Sequence, residues 1–179
     1  MPQINCNLAI IAYCLLLTFY EGDTMSNGSL KAGDMAPEFE LMDQEKMKVR
    51  LSDYKGKKKV ALLFYPMDFS PVCTEEFCGF GPAADQIVPS RDTIVFGVSC
   101  DSPFSHAEFK KKCNIPYDLL SDPTRRMVKQ YGMFSGEEPY NCSKRGTVVI
   151  DKAGKITFYQ EVPMKDPRSV ESVANAVKA

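Results

Sequence analysis

The chain has 179 residues, of which 44% are apolar and 25% charged, and its formal net charge is −1. This is enough length and apolar content for one domain with a sizeable buried core. The near-neutral net charge argues against a nucleic-acid partner. The short lysine runs at 57–59 and 110–112 do not change this, because such runs are typical of solvated turns and helix faces.

The first 24 residues differ from the rest: they contain no lysine or arginine and are almost continuously apolar from 8 to 20. The apolar run is shorter than the ~20 residues of a membrane span, and the basic start and cleavage site of a secretory signal are missing. Three interpretations stay open: translation that starts at Met25, a signal or membrane anchor, and some other role. We prefer the first, which makes 25–179 the folded domain and the cytoplasm its location. A secreted or membrane-anchored protein, or a membrane-tethered interaction domain without catalysis, is the alternative.

Two short strands, at 39–42 and 48–51, are predicted first, followed by a buried strand at 60–65 with an unbroken apolar run. A helix should begin near Cys73, break after little more than one turn at the glycines and proline of 79–82, and resume to Val88. Another buried strand is predicted at 93–99.

In the second half, Ser102 as N-cap and Pro103 at the first helical position predict a helix to Cys113. A strand at 117–120 and a helix at 121–131 follow. A hairpin of 145–151 with 155–160 and a last helix after 166–167 complete the pattern. This alternation predicts an α/β fold whose central mixed sheet is flanked by helices, with a parallel, right-handed crossover in the middle.

Pro66, Ser70 and Cys73 follow directly on the buried strand at 60–65. A thiol at a helix N-terminus beside a hydroxyl donor has its anionic form stabilised, and the thiolate is the nucleophilic form. The sequence therefore predicts a reactive cysteine at position 73. Cys78 supplies a second thiol nearby. The odd count of five cysteines after Met25, without regular spacing, favours a reducing compartment over a disulfide-stapled scaffold.

The Pro-x-x-x-Ser-x-x-Cys element at 66–73 resembles the signature of the peroxiredoxins, thiol peroxidases with a thioredoxin-like fold. Further blocks that are similar to this family lie at 33–39, 99–106, 119–123 and 145–151. The resemblance runs from Leu30 to the C-terminus. It implies a thioredoxin-like fold with an N-terminal strand extension, hydrogen peroxide or organic hydroperoxides as substrates, and no cofactor or metal.

Matched residue by residue, the resemblance makes Cys73 the peroxidatic cysteine. Pro66 would shield the pocket, and Ser70 would hydrogen-bond the sulfur or the peroxide. Arg145 would hold the thiolate and the peroxide oxygens, because its guanidinium stays protonated and can span two acceptors. Glu76 matches a position that helps to orient this arginine.

The Cys-x4-Cys spacing resembles the Q-type branch, also called bacterioferritin comigratory proteins, and implies that Cys78 resolves the oxidised sulfur as a Cys73–Cys78 disulfide. A thioredoxin-like dithiol would then reduce it. Helix positions five apart lie about 140° round the axis and over ~7 Å along it, whereas a disulfide needs Cα atoms within about 7 Å. The helix must therefore unwind, and we hypothesise that Gly79 and Gly81 lower the cost, so that alanine at both positions slows disulfide formation.

Alternatives stay open at this point. One alternative is a one-cysteine peroxidase or a peroxide sensor in which Cys78 packs without resolving. Another follows from the resemblance, because some Q-type members keep their resolving cysteine near the region of Cys113. The position of Cys113 does not match theirs closely, so we expect Cys113 to pack as an inert thiol, together with Cys100 and Cys142. His106 is expected on a helix surface. The protein is expected to be a monomer or homodimer without a membrane partner.

Overall fold

The fold is taken from a computed structural model that describes residues 30–178. Seven strands form one sheet in the order β2-β1-β5-β4-β3-β6-β7. The strands are β1 (Glu40–Met42), β2 (Lys48–Arg50), β3 (Lys59–Phe64), β4 (Thr93–Ser99), β5 (Asp118–Ser121), β6 (Arg145–Ile150) and β7 (Ile156–Val162). The neighbours β3, β4 and β5 run parallel, and the other pairs are antiparallel. The predicted α/β class with a mixed sheet is confirmed.

Five α-helices and a short 3-10 helix (Leu51–Asp53) accompany the sheet within residues 30–178. The α-helices are α1 (Pro71–Phe80), α2 (Ala84–Ile87), α3 (Pro103–Cys113), α4 (Arg126–Gln130) and α5 (Val170–Lys178). Ser102 caps α3 as predicted, since its hydroxyl accepts the N–H of Ser105. The predictions made for residues 1–24 lie outside the described residues.

Strand β3 separates two apolar cores because its side chains point alternately to opposite faces of the sheet. Val60, Leu62 and Phe64 belong to the core that contains residues of α4. Ala61 and Leu63 belong to the core that contains buried residues of α1, α3 and α5. Helices therefore cover both faces, and α1 and α3 lie on the same one.

Helix α1 is longer than predicted. It begins at Pro71, because proline fits the first helical position, where its missing N–H costs nothing. It also continues through Gly79 and ends at Phe80, with Gly81 as its C-cap. Cys73 therefore lies in the first turn of a ten-residue helix rather than at its first residue.

Helix α4 is shorter than the predicted 121–131. The Asp122 carboxylate accepts the backbone N–H groups of Arg126 and Val128, and Arg125 has a left-handed conformation with φ of 60°. The Asp122 cap and the left-handed backbone at Arg125 together keep residues 122–125 out of the helix. Within residues 30–178, none of the helices is long and apolar enough to cross a membrane.

Candidate active site

Cys73 is fully buried in the first turn of α1, and its sulfur contacts Arg145. Arg145 donates a hydrogen bond from Nη2 to Cys73 Sγ at 3.2 Å. The sheet explains how residues so far apart in sequence meet. Phe64 at the end of β3 pairs with Gly146 near the start of β6, so Arg145 lies beside the loop that leads from β3 into α1. The two best sequence candidates for the chemistry are thus in direct contact.

The Arg145 guanidinium is held by two further groups. Its Nη1 donates to Glu76 Oε2, and its Nε and Nη2 donate to the Met164 carbonyl at 3.3 and 3.1 Å. Glu76 lies three residues after Cys73 on α1, so both side chains project from the same face of the helix. Burial lowers the pKa of Arg145, which the nearby Cys73 sulfur opposes. The geometry therefore brings Cys73, Glu76 and Arg145 together.

A second buried arginine, which sequence reasoning missed, completes the group. Arg168 donates from Nε to Glu76 Oε1 at 2.7 Å and from Nη1 to the Gly146 carbonyl and Thr147 Oγ1. Burial lowers the pKa of Arg168 to about 10. It stays protonated at neutral pH. In the sequence nothing distinguishes Arg168 from a surface arginine before a helix.

The charges of this buried group balance only when the sulfur is ionised. Two guanidinium groups, Arg145 and Arg168, face one carboxylate, Glu76, and one sulfur. A neutral thiol leaves one positive charge uncompensated, whereas a thiolate at Cys73 neutralises it. The buried side chains around the Cys73 sulfur therefore carry a net positive charge.

A cavity of about 520 Å³ opens next to this group. Its lining residues are Pro66, Met67, Ser70, Pro71, Val72, Tyr140, Cys142, Arg145, Met164 and Lys165. Most of them are apolar, so the wall admits an alkyl group as well as water-sized molecules. Ser70 Oγ donates its one proton to the Met67 carbonyl at 3.1 Å. Its predicted donation to the sulfur therefore requires the hydroxyl to rotate.

The loop before α1 is anchored by a buried polar network. Asp68 Oδ2 lies 2.9 Å from His106 Nδ1, and Asp68 Oδ1 accepts the Tyr65 hydroxyl at 2.7 Å. His106 Nε2 lies 3.2 Å from the Leu120 carbonyl, and Asp68 N donates to Asp101 Oδ2. The expectation of a surface His106 is wrong, since the side chain is fully buried. It ties α3 to the loop that carries Pro66 and Ser70.

The cysteine pairing also differs from expectation. Cys78 is joined to Cys113 by a disulfide, so the prediction that Cys113 packs as an inert thiol is wrong. Cys73, Cys100 and Cys142 are free. Burial raises the pKa of Cys142 and raises that of Cys100 to about 12, which makes both poor nucleophiles at neutral pH. Among residues 30–178, no group of three or more His, Cys, Asp or Glu side chains is placed to hold a metal ion.

Comparisons with known proteins agree with this geometry. A family model described as the AhpC/TSA family matches residues 32–159. Peroxiredoxin Bcp of Bacillus subtilis is 36% identical over 144 residues, which cover 77% of this chain and 90% of that protein. The crystal structure of a peroxiredoxin-like protein from Aquifex aeolicus superimposes with a TM-score of 0.75 at 28% identity, covering 85% and 88% of the two chains.

A third similar protein is peroxidoxin BcpB from Mycobacterium tuberculosis. Its crystal structure has a TM-score of 0.70 at 29% identity and covers 83% of this chain and 97% of that one. The predicted thioredoxin-like fold is confirmed by these likenesses.

Proposed function

The chain belongs to the AhpC/TSA family and is a peroxiredoxin, a thiol peroxidase, and we propose that Cys73 is the sulfur that attacks the peroxide. The observation that carries this proposal is the hydrogen bond from Arg145 Nη2 to the buried Cys73 Sγ, 3.2 Å long. The first turn of α1 adds to it, because a helix N-terminus favours an anionic sulfur.

The reaction is an in-line displacement at oxygen. The Cys73 thiolate attacks one oxygen of the peroxide, the O–O bond breaks, and the other oxygen leaves as hydroxide or alkoxide and takes a proton. Cys73 becomes a sulfenic acid, and the peroxide is reduced by two electrons. Negative charge moves from sulfur to the leaving oxygen, so a donor fixed beside both atoms stabilises the transition state.

Arg145 is placed to be that donor. Its Nη2 already contacts the sulfur, while Glu76 and the Met164 carbonyl hold the rest of the guanidinium. Arg168 fixes Glu76 from the other side. A guanidinium that is held in this way loses little orientational freedom when the peroxide binds. Pro66 and Ser70 form the cavity wall beside it.

Cys78 then attacks the Cys73 sulfenic acid, which releases water and forms the Cys73–Cys78 disulfide after α1 unwinds. A dithiol protein of the thioredoxin class reduces the oxidised enzyme. The largely apolar cavity supports organic hydroperoxides as substrates beside hydrogen peroxide. We place the enzyme in the cytoplasm as a monomer or homodimer.

Stopped-flow measurement of hydrogen peroxide reduction tests the role of the sulfur and its arginine. Cys73→Ser should abolish the fast reaction. Arg145→Lys keeps the positive charge but loses the planar guanidinium that can donate to two acceptors at once. It should lower the second-order rate constant by about 100-fold, as expected for the loss of one hydrogen-bond donor to the transition state. Cys100→Ser is the matched control, since it removes a half-buried thiol outside the cavity. A near-normal rate in Arg145→Lys would contradict the proposal.

A separate assay tests the resolving step. Cys78→Ser should stop turnover that is supported by thioredoxin, while the first reaction with peroxide keeps its rate. Turnover that persists in this variant would show a one-cysteine peroxidase instead.

A further inference from the structure

The structure combines an assembled pocket with an oxidised pair of cysteines. Helix α1 is intact, Cys73 is a free thiol in contact with Arg145, and Cys78 is bonded to Cys113. The chain can therefore hold one disulfide and a reactive Cys73 at the same time. A Cys73–Cys78 disulfide does not permit this, because positions five apart on a helix are too far apart to bond.

The Cys73–Cys78 bond is costly for a second reason. The segment that must unwind contains Glu76, whose carboxylate pairs with both buried arginines. It also contains Phe77, which is fully buried and packs against the rings of Tyr65 and Phe109. Unwinding separates these charges and exposes this ring. Any reaction that removes the Cys73–Cys78 bond lets both interactions form again.

Cys113 is held where it can carry out that reaction. Its Sγ lies 3.9 Å from the Thr74 carbonyl, so the end of α3 lies against the first turn of α1. A Cβ at Gly81 would come within 2.7 Å of the Cys113 carbonyl oxygen, so the glycine allows this close approach. Helix α3 is also anchored through His106 to Leu120 of β5, a contact that does not involve α1. Cys113 therefore stays near α1 when α1 unwinds.

We propose that Cys113 is a second resolving thiol, which takes the disulfide over from Cys73; this rests on the proposed role of Cys73 as the peroxidatic cysteine. The Cys113 thiolate attacks Cys78 Sγ of the Cys73–Cys78 disulfide. The Cys113–Cys78 bond forms, the Cys78–Cys73 bond breaks, and Cys73 leaves as a thiolate. The Cys113 proton goes to solvent. No net electrons are gained or lost, because one disulfide replaces another.

The leaving group and the helix both favour this direction of exchange. The departing Cys73 thiolate returns to Arg145, and a stabilised thiolate is a good leaving group in thiol–disulfide exchange. Helix α1 refolds, with Glu76 and Phe77 buried again. The oxidising equivalent then resides in Cys78–Cys113. Cys78 is the half-buried partner of this pair and Cys113 the buried one, so an external dithiol attacks at Cys78.

One consequence is a peroxide stoichiometry that a single resolving thiol does not give. After the exchange Cys73 is free again and reacts with another peroxide before any reductant arrives. The fully reduced chain should therefore consume two equivalents of hydrogen peroxide in its fast phases. Cys113→Ser should consume one, because its Cys73 stays bonded to Cys78.

The direct test follows the disulfides in time. The reduced full-length protein is mixed with one equivalent of hydrogen peroxide, quenched in acid and alkylated. Digestion after Glu75 or Glu76 separates Cys73 from Cys78, and digestion after Lys112 releases the Cys113 peptide for mass spectrometry. Cys73–Cys78 should appear first and decay as Cys78–Cys113 rises, with Cys73 alkylated at the end. In Cys113→Ser, Cys73–Cys78 should accumulate, and Cys100→Ser should behave as wild type.

Three results would overturn the relay. The first is a wild-type end product of Cys73–Cys78 with Cys113 alkylated, and the second is accumulation of Cys73–Cys113. The third is formation of Cys78–Cys113 in Cys73→Ser at the wild-type rate. We expect this disulfide to form at least about tenfold more slowly in Cys73→Ser, since ordinary thiols are mostly protonated at neutral pH. Dimedone, which traps sulfenic acids, separates the failure of the two proposals. If no sulfenic acid is trapped at Cys73, the proposed function is wrong. If a sulfenic acid forms and proceeds only to Cys73–Cys78, the relay alone is wrong.

Discussion

Alanine at Gly79 should slow the unwinding of α1 without disturbing its packing. Gly79 is helical and exposed, and a Cβ there meets no atom within 4 Å. Glycine inside a helix costs about 1 kcal/mol relative to alanine. Gly79→Ala therefore stabilises the wound form of α1 by about this amount, which corresponds to an about fivefold smaller unwound population. If unwinding precedes the bond between Cys73 and Cys78, that bond should form about fivefold more slowly.

Rapid quenching after a hydrogen peroxide pulse, with mass spectrometry of the Cys73–Cys78 species, measures this rate. The reaction of Cys73 with peroxide itself should be unchanged, because it takes place on the wound helix. Gly136→Ala is the matched control: it lies in a loop outside α1, and its Cβ would meet Phe134 at an ordinary 3.8 Å. Equal rates of disulfide formation in Gly79→Ala, Gly136→Ala and wild type would refute the reasoning.

The double glycine replacement that the sequence points to is a poorer test. Alanine at Gly81 would place its Cβ 2.7 Å from the Cys113 carbonyl oxygen, so the backbones of α1 and α3 must separate. A slower formation of the disulfide in the double variant would then have two causes, a stiffer helix and a displaced Cys113. Only the single change at Gly79 isolates the cost of unwinding.

Further predictions concern the buried polar groups. Arg168→Met should lower the free energy of unfolding by about 3 kcal/mol, because it removes a partner from the buried Glu76 carboxylate. Urea denaturation measures this free energy, and a loss below about 1 kcal/mol would contradict the buried ion pair. His106→Leu should cost about 1–3 kcal/mol in the same assay, since the Asp68 carboxylate loses a buried partner, and an unchanged midpoint would argue against the contact. Alkylation of Cys100 should rise about tenfold per pH unit up to about pH 10, because burial raises its pKa to about 12 and the thiolate fraction increases throughout this range. A plateau near pH 9, measured on its peptide, would show an ordinary thiol.

The strands and the position of Cys73 near the start of a helix were predictable because both depend on local sequence. An unbroken apolar run gives a buried strand, and a proline and a hydroxyl residue before Cys73 give the start of a helix. The start of α1 at Pro71 was also available from the rule that proline favours the first helical position. Only the persistence of helix through Gly79 needs the packing of Phe77 and Phe80 in the core.

His106 was misplaced although a signal for its burial was present. It lies three residues before Phe109 and seven before Cys113, so the three share one face of α3, and all three are buried. The contact of Arg168 with Glu76 had no such signal, and for the Cys78–Cys113 bond the resemblance to Q-type members indicated only the region of Cys113. Both join segments that are distant in sequence, and their spacing carries no information about which helix ends meet.

The buried imidazole of α3 also offers a way to watch the enzyme at work. His106 is the only histidine in the chain, and its ring lies between Asp68, five residues before Cys73, and the Leu120 carbonyl. Its imidazole resonances can therefore be assigned to this one residue. A change in them during oxidation would report that the loop has left α3, whereas constant signals would locate the movement in α1 alone.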